Sequence, residues 1–222
     1  MKNSPKVATI IFGYGGAKHI IERHLELWKK LSDTLVFVMP EDDYCTIPDY
    51  HTWIHEKSIH YGLGLIKRIL FAFKKALELN ADIFYFMEYD AILLKHPIIS
   101  KDRQIQGNVF TSDPNQSFEG YFFKAKSFCH FPYIFTRDAL EKFCSVADSS
   151  EFELGFPDRW FSYQLEKNNI PIFDLLKSGE GFSQNTIHTP QPLIEAIKEG
   201  RYAIHGIKSD EVFNIIKKYT AI

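Results

Sequence analysis

Two carboxylates follow a run of apolar residues in the segment "FYFMEYDAILLK", residues 84–95. Glu88 and Asp90 are two positions apart, so their side chains face the same side if the chain continues as a strand. Like charges on one face repel, and a carboxylate beside an apolar layer is costly without compensation. Paired carboxylate oxygens are suitable ligands for Mg²⁺ or Mn²⁺. We therefore expect a metal site here. The alternative is a pair of solvated residues at a strand end.

A second set of candidates lies near the C-terminus, in the segment "AIHGIK". His205 follows a short apolar run, and Lys208 comes three residues later. An imidazole can complete a Mn²⁺ shell, and the lysine ammonium group offers a point charge to phosphate oxygens. The alternative for this histidine, one of nine in the chain, is a structural role.

The segment "GFPDRWF" contains a candidate for acid–base chemistry. Pro157 suits the first turn of a helix, and Asp158 then lies near the positive end of the helix dipole. A carboxylate in that position can act as a general base toward a hydroxyl group. The alternative is that Asp158 only stabilises the start of the helix.

Apolar runs and helical periodicity predict the elements that position these residues. Strands are predicted at "VATIIF", "TLVFVM" and "ADIFYFM", and two amphipathic helices are predicted between them. This alternation indicates an α/β fold with a mostly parallel central sheet flanked by helices. Shorter strands and helices are predicted in a less regular second half. No linker divides the chain, so we expect one domain over residues 1–222, with a first half to about residue 95 and a second half from 96 to 222.

Ligands of open α/β sheets bind beyond the carboxyl ends of the strands. Here that rule selects the loops "GYGG", "PEDD" and "EYD", each of which follows a predicted strand. The glycines permit close approach of the backbone to a ligand, although the GxGxxG spacing of dinucleotide folds is absent. Asp42 or Asp43 can accept hydrogen bonds from ribose hydroxyls. A glycine turn and a solvated acidic loop are the alternatives.

Composition narrows the class of protein. The chain has 222 residues, of which 45% are hydrophobic and 15% aromatic, as in packed globular proteins. Its formal charge of −2 gives no electrostatic case for a nucleic-acid partner. No segment approaches the length of a membrane span, and no signal peptide is recognisable. The three cysteines share no metal-type spacing. We therefore expect reduced thiols and a cytoplasmic location.

Taken in order, these segments resemble the nucleotide-sugar-dependent glycosyltransferases of the GT-A fold. "GYGG" looks like the donor-nucleotide loop, and "EYD" stands where the family has its DxD metal motif. "FPDRWFSYQLEKNNIPI" looks like the acceptor-side segment, and "IHGIK" is similar to the C-terminal His-Gly-x-Lys of several members. The motifs are short and span residues 7 to 208. The first half would then bind the nucleotide sugar, and the second half the acceptor.

The resemblance implies roles for individual residues. It makes Asp90 and His205 ligands of Mn²⁺ or Mg²⁺, with Glu88, which replaces the usual first aspartate, beside the metal. It makes Asp158 the catalytic base, although Arg159 stands where many relatives have another acidic residue. Binding of the nucleotide sugar falls to the following residues: Gly13, Tyr14, Gly15, Asp42, Asp43, Lys67, Glu88 and Lys208. The implied partners are a nucleotide-diphosphate sugar and a carbohydrate or other hydroxyl acceptor. A base on the face opposite the leaving diphosphate would invert the anomeric centre, and a retaining reaction is the alternative.

Two other functions are compatible with the same segments. A sugar-nucleotide nucleotidyltransferase shares the architecture, but "GYGGAKHI" lacks the Arg and Pro of that class's first-loop signature. A catalytically inactive protein that binds nucleotide sugars is the non-enzymatic alternative, and Glu88 and Arg159 are the residues that favour it.

Overall fold

The computed structural model describes most of the chain, and the following account concerns those residues only. They are residues 4–56, 63–111, 117–118, 121–122, 126–150, 157–180, 194–195, 197–199, 203–204 and 206–219.

The three predicted strands of the first half and the two helices between them are present in the expected order. The strands are β1 Val7–Phe12, β2 Thr34–Pro40, β3 His51–His55, β4 Ile83–Glu88, β5 Ile92–Leu93, β6 Ile105–Thr111, β7 Ser117–Phe118, β8 Tyr121–Phe122, β9 Ser127–Thr136, β10 Phe173–Asp174 and β11 Ala203–Ile204. The helices are α1 Lys18–Lys29, α2 Leu63–Ala76, α3 Arg137–Val146, α4 Pro157–Lys167 and α5 Asp210–Tyr219. A short 3₁₀ turn, Gly15–Ala17, precedes α1.

Seven strands form the central sheet in the order β10-β6-β9-β4-β1-β2-β3. Strand β1 is parallel to both β2 and β4, and β2 is parallel to β3. The long strand β9 is antiparallel to β4 and β6 and joins the second half of the chain to the first. The prediction of an α/β fold with a mostly parallel sheet and a mixed second half is therefore confirmed.

Strand β3 was not predicted. Its sequence, "HTWIH", has only two adjacent apolar residues, and it forms an edge of the sheet where its side chains are exposed or half-buried. Edge strands lack the continuous apolar run by which buried parallel strands are recognised. At the other edge of the sheet, β10 is very short, since only Phe173–Asp174 pairs with β6.

Helices cover both faces of the sheet because the central strands are apolar on both faces. In β1, Ala8, Ile10 and Phe12 pack with residues of α2, α3 and α4, whereas Val7 and Ile11 pack with residues of α1. The same alternation runs through β2 and β4. Strand positions two apart share a face, so each of these strands contributes to two cores.

The C-terminal segment packs against α1 and so lies near the carboxyl end of β4. Strand β11 pairs with β5, and α5 packs Val212, Phe213 and Ile216 against a cluster that includes Leu27 of α1. Arg23 of α1 forms a salt bridge with Asp210 and donates a hydrogen bond to the Ile207 carbonyl oxygen over 3.0 Å. These contacts set the position of the residues just before α5.

Among the described residues, no helix has both the length and the apolar character that crossing a bilayer requires. None of the three cysteines forms a disulfide.

Candidate functional site

A cleft of about 660 Å³ lies at the carboxyl ends of β1 and β4. Its walls come from the loops after β1, β2 and β4, from the first half of α2, from the middle of β9, and from the segment before α5. The lining residues are Phe12, Gly13, Tyr14, Asp43, Leu65, Arg68, Glu88, Tyr89, Asp90, Phe131 and Lys208. Six of the eleven positions predicted to bind metal or nucleotide sugar, or to act in catalysis, therefore border one cavity: Gly13, Tyr14, Asp43, Glu88, Asp90 and Lys208.

The turn that carries Asp90 is held through three consecutive carbonyl oxygens. His24 Nδ1 donates to Tyr89 O over 3.2 Å, Trp28 Nε1 donates to Ala91 O over 2.9 Å, and the amide of Ile207 donates to Asp90 O over 2.9 Å. Two of the donors belong to α1, and the third belongs to the C-terminal segment. The Asp90 side chain is thus fixed at the end of β4, where it is only 4% exposed.

The imidazole of His24, which donates this hydrogen bond to Tyr89 O, is neutral. Burial, reinforced by the charge of Arg23, lowers the pKa of His24 from 6.5 to about 4. A neutral ring with its proton on Nδ1 donates to Tyr89 O, and its Nε2 faces the Arg23 guanidinium at 3.4 Å. The ring also stacks on Phe213 of α5, with centroids 5.2 Å apart.

The glycine loop and the acidic loop are joined directly. The amide of Gly15 donates to the Asp43 carbonyl oxygen over 2.8 Å, and a Cβ at Gly15 would lie 2.5 Å from Asp43 Oδ1. Any larger residue at position 15 would therefore push Asp43 away from the cleft. Tyr14 packs edge-on against Tyr89, with ring centroids 5.2 Å apart, so that the first and third predicted loops also touch.

Lys208 places an exposed ammonium group beside the buried carboxylate of Asp90. Its Nζ lies 3.5 Å from Asp90 Oδ2, and the lysine side chain is 63% exposed while that of Asp90 is 5% exposed. A charge held at the mouth of a cleft in this way is available to an anionic ligand as well as to its neighbour.

The predicted metal ligand His205 lies outside the described residues. The chain on either side of it is described: Ile204 pairs with Ile92 of β5, and the Ile207 amide binds Asp90 O. Within the described part of the chain, no three His, Cys, Asp or Glu side chains are grouped as a metal site. The described carboxylates of the cleft that suit a hard divalent cation are Asp90, Glu88 and Asp43.

Arg68 is a lining residue that the sequence analysis missed. The sequence predicts only an amphipathic helix at Arg68, and the resemblance gives the binding role to its neighbour Lys67. Lys67 is exposed and is absent from the described lining. Arg68 is only 7% exposed. A signal was present, because Arg68 shares one row of α2 with Leu65 and Ala72, at helical spacing on the face that packs inward.

Asp158 lies in the first turn of α4, as predicted, beside but not within the described lining of the cleft. The hydroxyl of Tyr133 donates to Asp158 Oδ1 over 2.8 Å, and His130 Nδ1 lies 4.0 Å from the same oxygen. The Tyr133 ring stacks on Phe131, which does line the cleft, at 4.2 Å. The ring of Tyr133 therefore lies between Asp158 and Phe131, the residue that lines the cleft.

Asp42 and Gly15 lie in the loops of the cleft without being described as lining it. The charge of Asp42, with that of Glu88, acts on the Arg68 guanidinium and opposes the effect of burial on its pKa.

Comparison of the sequence with models of protein families and with curated proteins gives no match.

Proposed function

We propose that this protein is a metal-dependent glycosyltransferase that transfers a sugar from a nucleotide-diphosphate donor to an acceptor hydroxyl. The observation that carries the proposal is the convergence of Asp43, Glu88, Asp90 and Lys208 on one cleft at the carboxyl ends of parallel strands. Nucleotide ligands of α/β sheets bind at such edges. The order of the segments, which resembles that of GT-A enzymes, supports the same interpretation.

The carboxylates of the cleft fit a divalent cation. Asp90 is the principal ligand, because its turn is fixed by three hydrogen bonds and its carboxylate borders the cavity. In the proposal, Glu88, which borders the same cleft, lies beside the metal and His205 completes the set. Bound there, Mn²⁺ or Mg²⁺ would supply positive charge to a diphosphate as it departs from the sugar.

Lys208 and Asp158 act on opposite partners in the proposed reaction. The bond between the anomeric carbon and the diphosphate oxygen breaks, and a bond from the acceptor oxygen to that carbon forms. Lys208 stabilises the charge left on the diphosphate. Asp158 accepts the proton of the acceptor hydroxyl, and attack from the side opposite the leaving group inverts the anomeric centre. We place this activity in the cytoplasm, in keeping with three cysteines that form no disulfide.

The test is a panel of nucleotide-diphosphate sugars, each with and without Mn²⁺, read first as thermal stabilisation and then as hydrolysis or transfer. We expect metal-dependent stabilisation by one diphosphate and slow hydrolysis of its sugar donor. Asp90→Ala should lose the metal-dependent turnover, and the exposed Asp102→Ala should retain it. Near-normal activity in Asp90→Ala would refute the metal site. Stabilisation without turnover in the wild type would instead indicate a binding protein.

A further inference from the structure

Arg68 is a buried cation on the wall of the cleft. Its residue is 7% exposed, yet it lines the cavity together with Glu88, Asp90 and Lys208. Helix α2 is anchored on both sides of Arg68 by Ile66 and Ile69, which are fully buried in the main core. The guanidinium group is therefore held by a rigid element rather than by a loop.

Within the described part of the chain, neither Nε nor Nη1 of Arg68 has a hydrogen-bond partner, although both atoms are shielded from solvent. No described carboxylate forms a salt bridge with it either. Burial lowers the pKa of Arg68, and the charges of Asp42 and Glu88 act in the opposite direction from a distance. An arginine remains protonated in proteins, so this site carries a positive charge, and two of its three nitrogens make no hydrogen bond to a described residue.

A buried charge without partners is costly, and such a group persists where a ligand completes it. The planar guanidinium fork matches the two oxygens of a carboxylate or a phosphate group. A sugar hydroxyl or a neutral base would leave the charge uncompensated. The ligand group that suits Arg68 is therefore an oxyanion.

Lys208 provides a second and different cation on the same wall. Lys208 is exposed and paired with Asp90 at 3.5 Å, whereas Arg68 is deep, unpaired within the described residues, and subject to the charge of Glu88. Two cations of one cleft, held by two separate elements, suit a ligand with more than one anionic group.

We propose that Arg68 is a ligand-binding residue that receives an oxyanion of the substrate deep in the cleft. This inference rests on the proposed function for the identity of the substrate. Within that function, the oxyanion is either a phosphate group of the nucleotide diphosphate or a carboxylate on the transferred sugar, and both offer Arg68 the same pair of oxygens.

The experiment measures anion binding in the presence of EDTA, so that neither metal nor turnover contributes. Inorganic pyrophosphate and glucuronate are titrated by calorimetry into wild type, Arg68→Gln, Arg68→Lys and Lys74→Gln. The last variant removes an exposed charge from the same helix and serves as the control. Circular dichroism checks that each variant is folded. Arg68→Lys keeps the positive charge but lacks the planar guanidinium group, and it replaces Arg68→Gln in the comparison if that variant does not fold.

We expect Arg68→Gln to weaken binding of one anion by about tenfold or more, Arg68→Lys to weaken it less, and Lys74→Gln to leave it unchanged. Loss confined to pyrophosphate identifies the phosphate source, and loss confined to glucuronate identifies the sugar carboxylate. The inference is overturned if wild type binds neither anion, or if the Arg68 variants bind both as wild type does. Arg68-dependent anion binding in a protein that transfers no sugar would refute the proposed function and leave this inference standing.

Discussion

At the amino ends of β1 and β4 charged side chains bind backbone groups, and the cavity there has a single Asp, Glu, Lys or Arg, Asp82, in its described lining; at the carboxyl ends of the same strands several charged side chains line one cleft together. Asp33 accepts a hydrogen bond from the Val7 amide over 2.7 Å, and Asp82 accepts one from the Lys6 amide over 2.8 Å. Arg137 donates to the carbonyl oxygens of residues 77, 79 and 81 at the end of α2. Each of these charges completes a strand or helix end.

The carboxyl edge differs because Arg68, the arginine that lines the cleft, completes no described strand or helix end. Arg68 lies in the first half of α2, and Arg137, the first residue of α3, lies beside the C-terminal end of α2. The nitrogens of Arg137 reach three carbonyl oxygens, while Nε and Nη1 of Arg68 reach no described acceptor. One arginine stabilises the fold, and the other adds a cost that folding alone does not explain. The difference indicates which edge of the sheet is adapted to a ligand.

The largest effect is expected from Asp158, the proposed base at the cleft edge. Asp158→Asn keeps the shape of the side chain but removes its ability to accept a proton, so transfer should fall by about 10² to 10⁴-fold. Binding of the nucleotide diphosphate, measured by calorimetry, should be unchanged. Asp82→Asn makes the same chemical change at the amino edge and should leave transfer intact. Persistent transfer in Asp158→Asn would mean that another group is the base.

The two arginines provide a direct test of the comparison. Arg137→Met removes three hydrogen bonds from a charged donor and should lower the free energy of unfolding by about 2–4 kcal/mol. Arg68→Met replaces a buried charge by an apolar side chain of similar length, so stability without ligand should be unchanged or higher. Urea denaturation measures both. A loss of stability in Arg68→Met as large as that in Arg137→Met would show that the two edges are not different.

The buried central strands and the cleft loops were predictable from the sequence for a physical reason. Strands β1, β2 and β4 are apolar on both faces, and a parallel sheet brings their carboxyl ends to one edge. Glu88 and Asp90 could therefore be placed with Asp43 from local patterns alone.

Other features depend on tertiary contacts that no local pattern encodes. The antiparallel insertion of β9 between β4 and β6 is a matter of strand order. The difference between Lys67 and Arg68 depends on a rotation of about 100° around α2, which decides which basic residue faces the core. The hydrogen bonds of His24 and Trp28 to the turn at Asp90 likewise require α1 to be docked.

His24 and Arg68 are both buried near the cleft edge, but Arg68 keeps its proton whereas His24 is neutral. His24 gives up its proton, and its pKa falls from 6.5 to about 4. The unfolded chain therefore binds a proton more readily below about pH 6.5, and stability should fall by about 2 kcal/mol between about pH 7 and about pH 5. Urea denaturation against pH measures this loss.

A variant pair assigns the pH effect to one residue. His24→Asn retains an N–H donor for Tyr89 O and has no titrating group, so most of the pH dependence over this range should disappear. His19→Asn, on the exposed face of α1, should retain it. An unchanged slope in His24→Asn would place the titrating group elsewhere.

The smallest effect is expected from Tyr133, which connects the core to the cleft edge. Its hydroxyl oxygen lies 2.8 Å from Asp158 Oδ1 and 2.9 Å from Cys129 O, so its single proton is shared between these two acceptors. Its ring lies between Phe131 and Phe161, with centroids 4.2 and 4.1 Å away. Tyr133→Phe keeps the ring stack and should cost only about 1 kcal/mol of stability. The Asp158 carboxylate loses a donor that favours its ionised form, so the acidic limb of the transfer rate should move to higher pH. A shift of the acidic limb of the pH–rate profile with nearly normal stability identifies Tyr133 as a positioning residue for Asp158. An unchanged acidic limb would mean that Tyr133 contributes only to packing in the core.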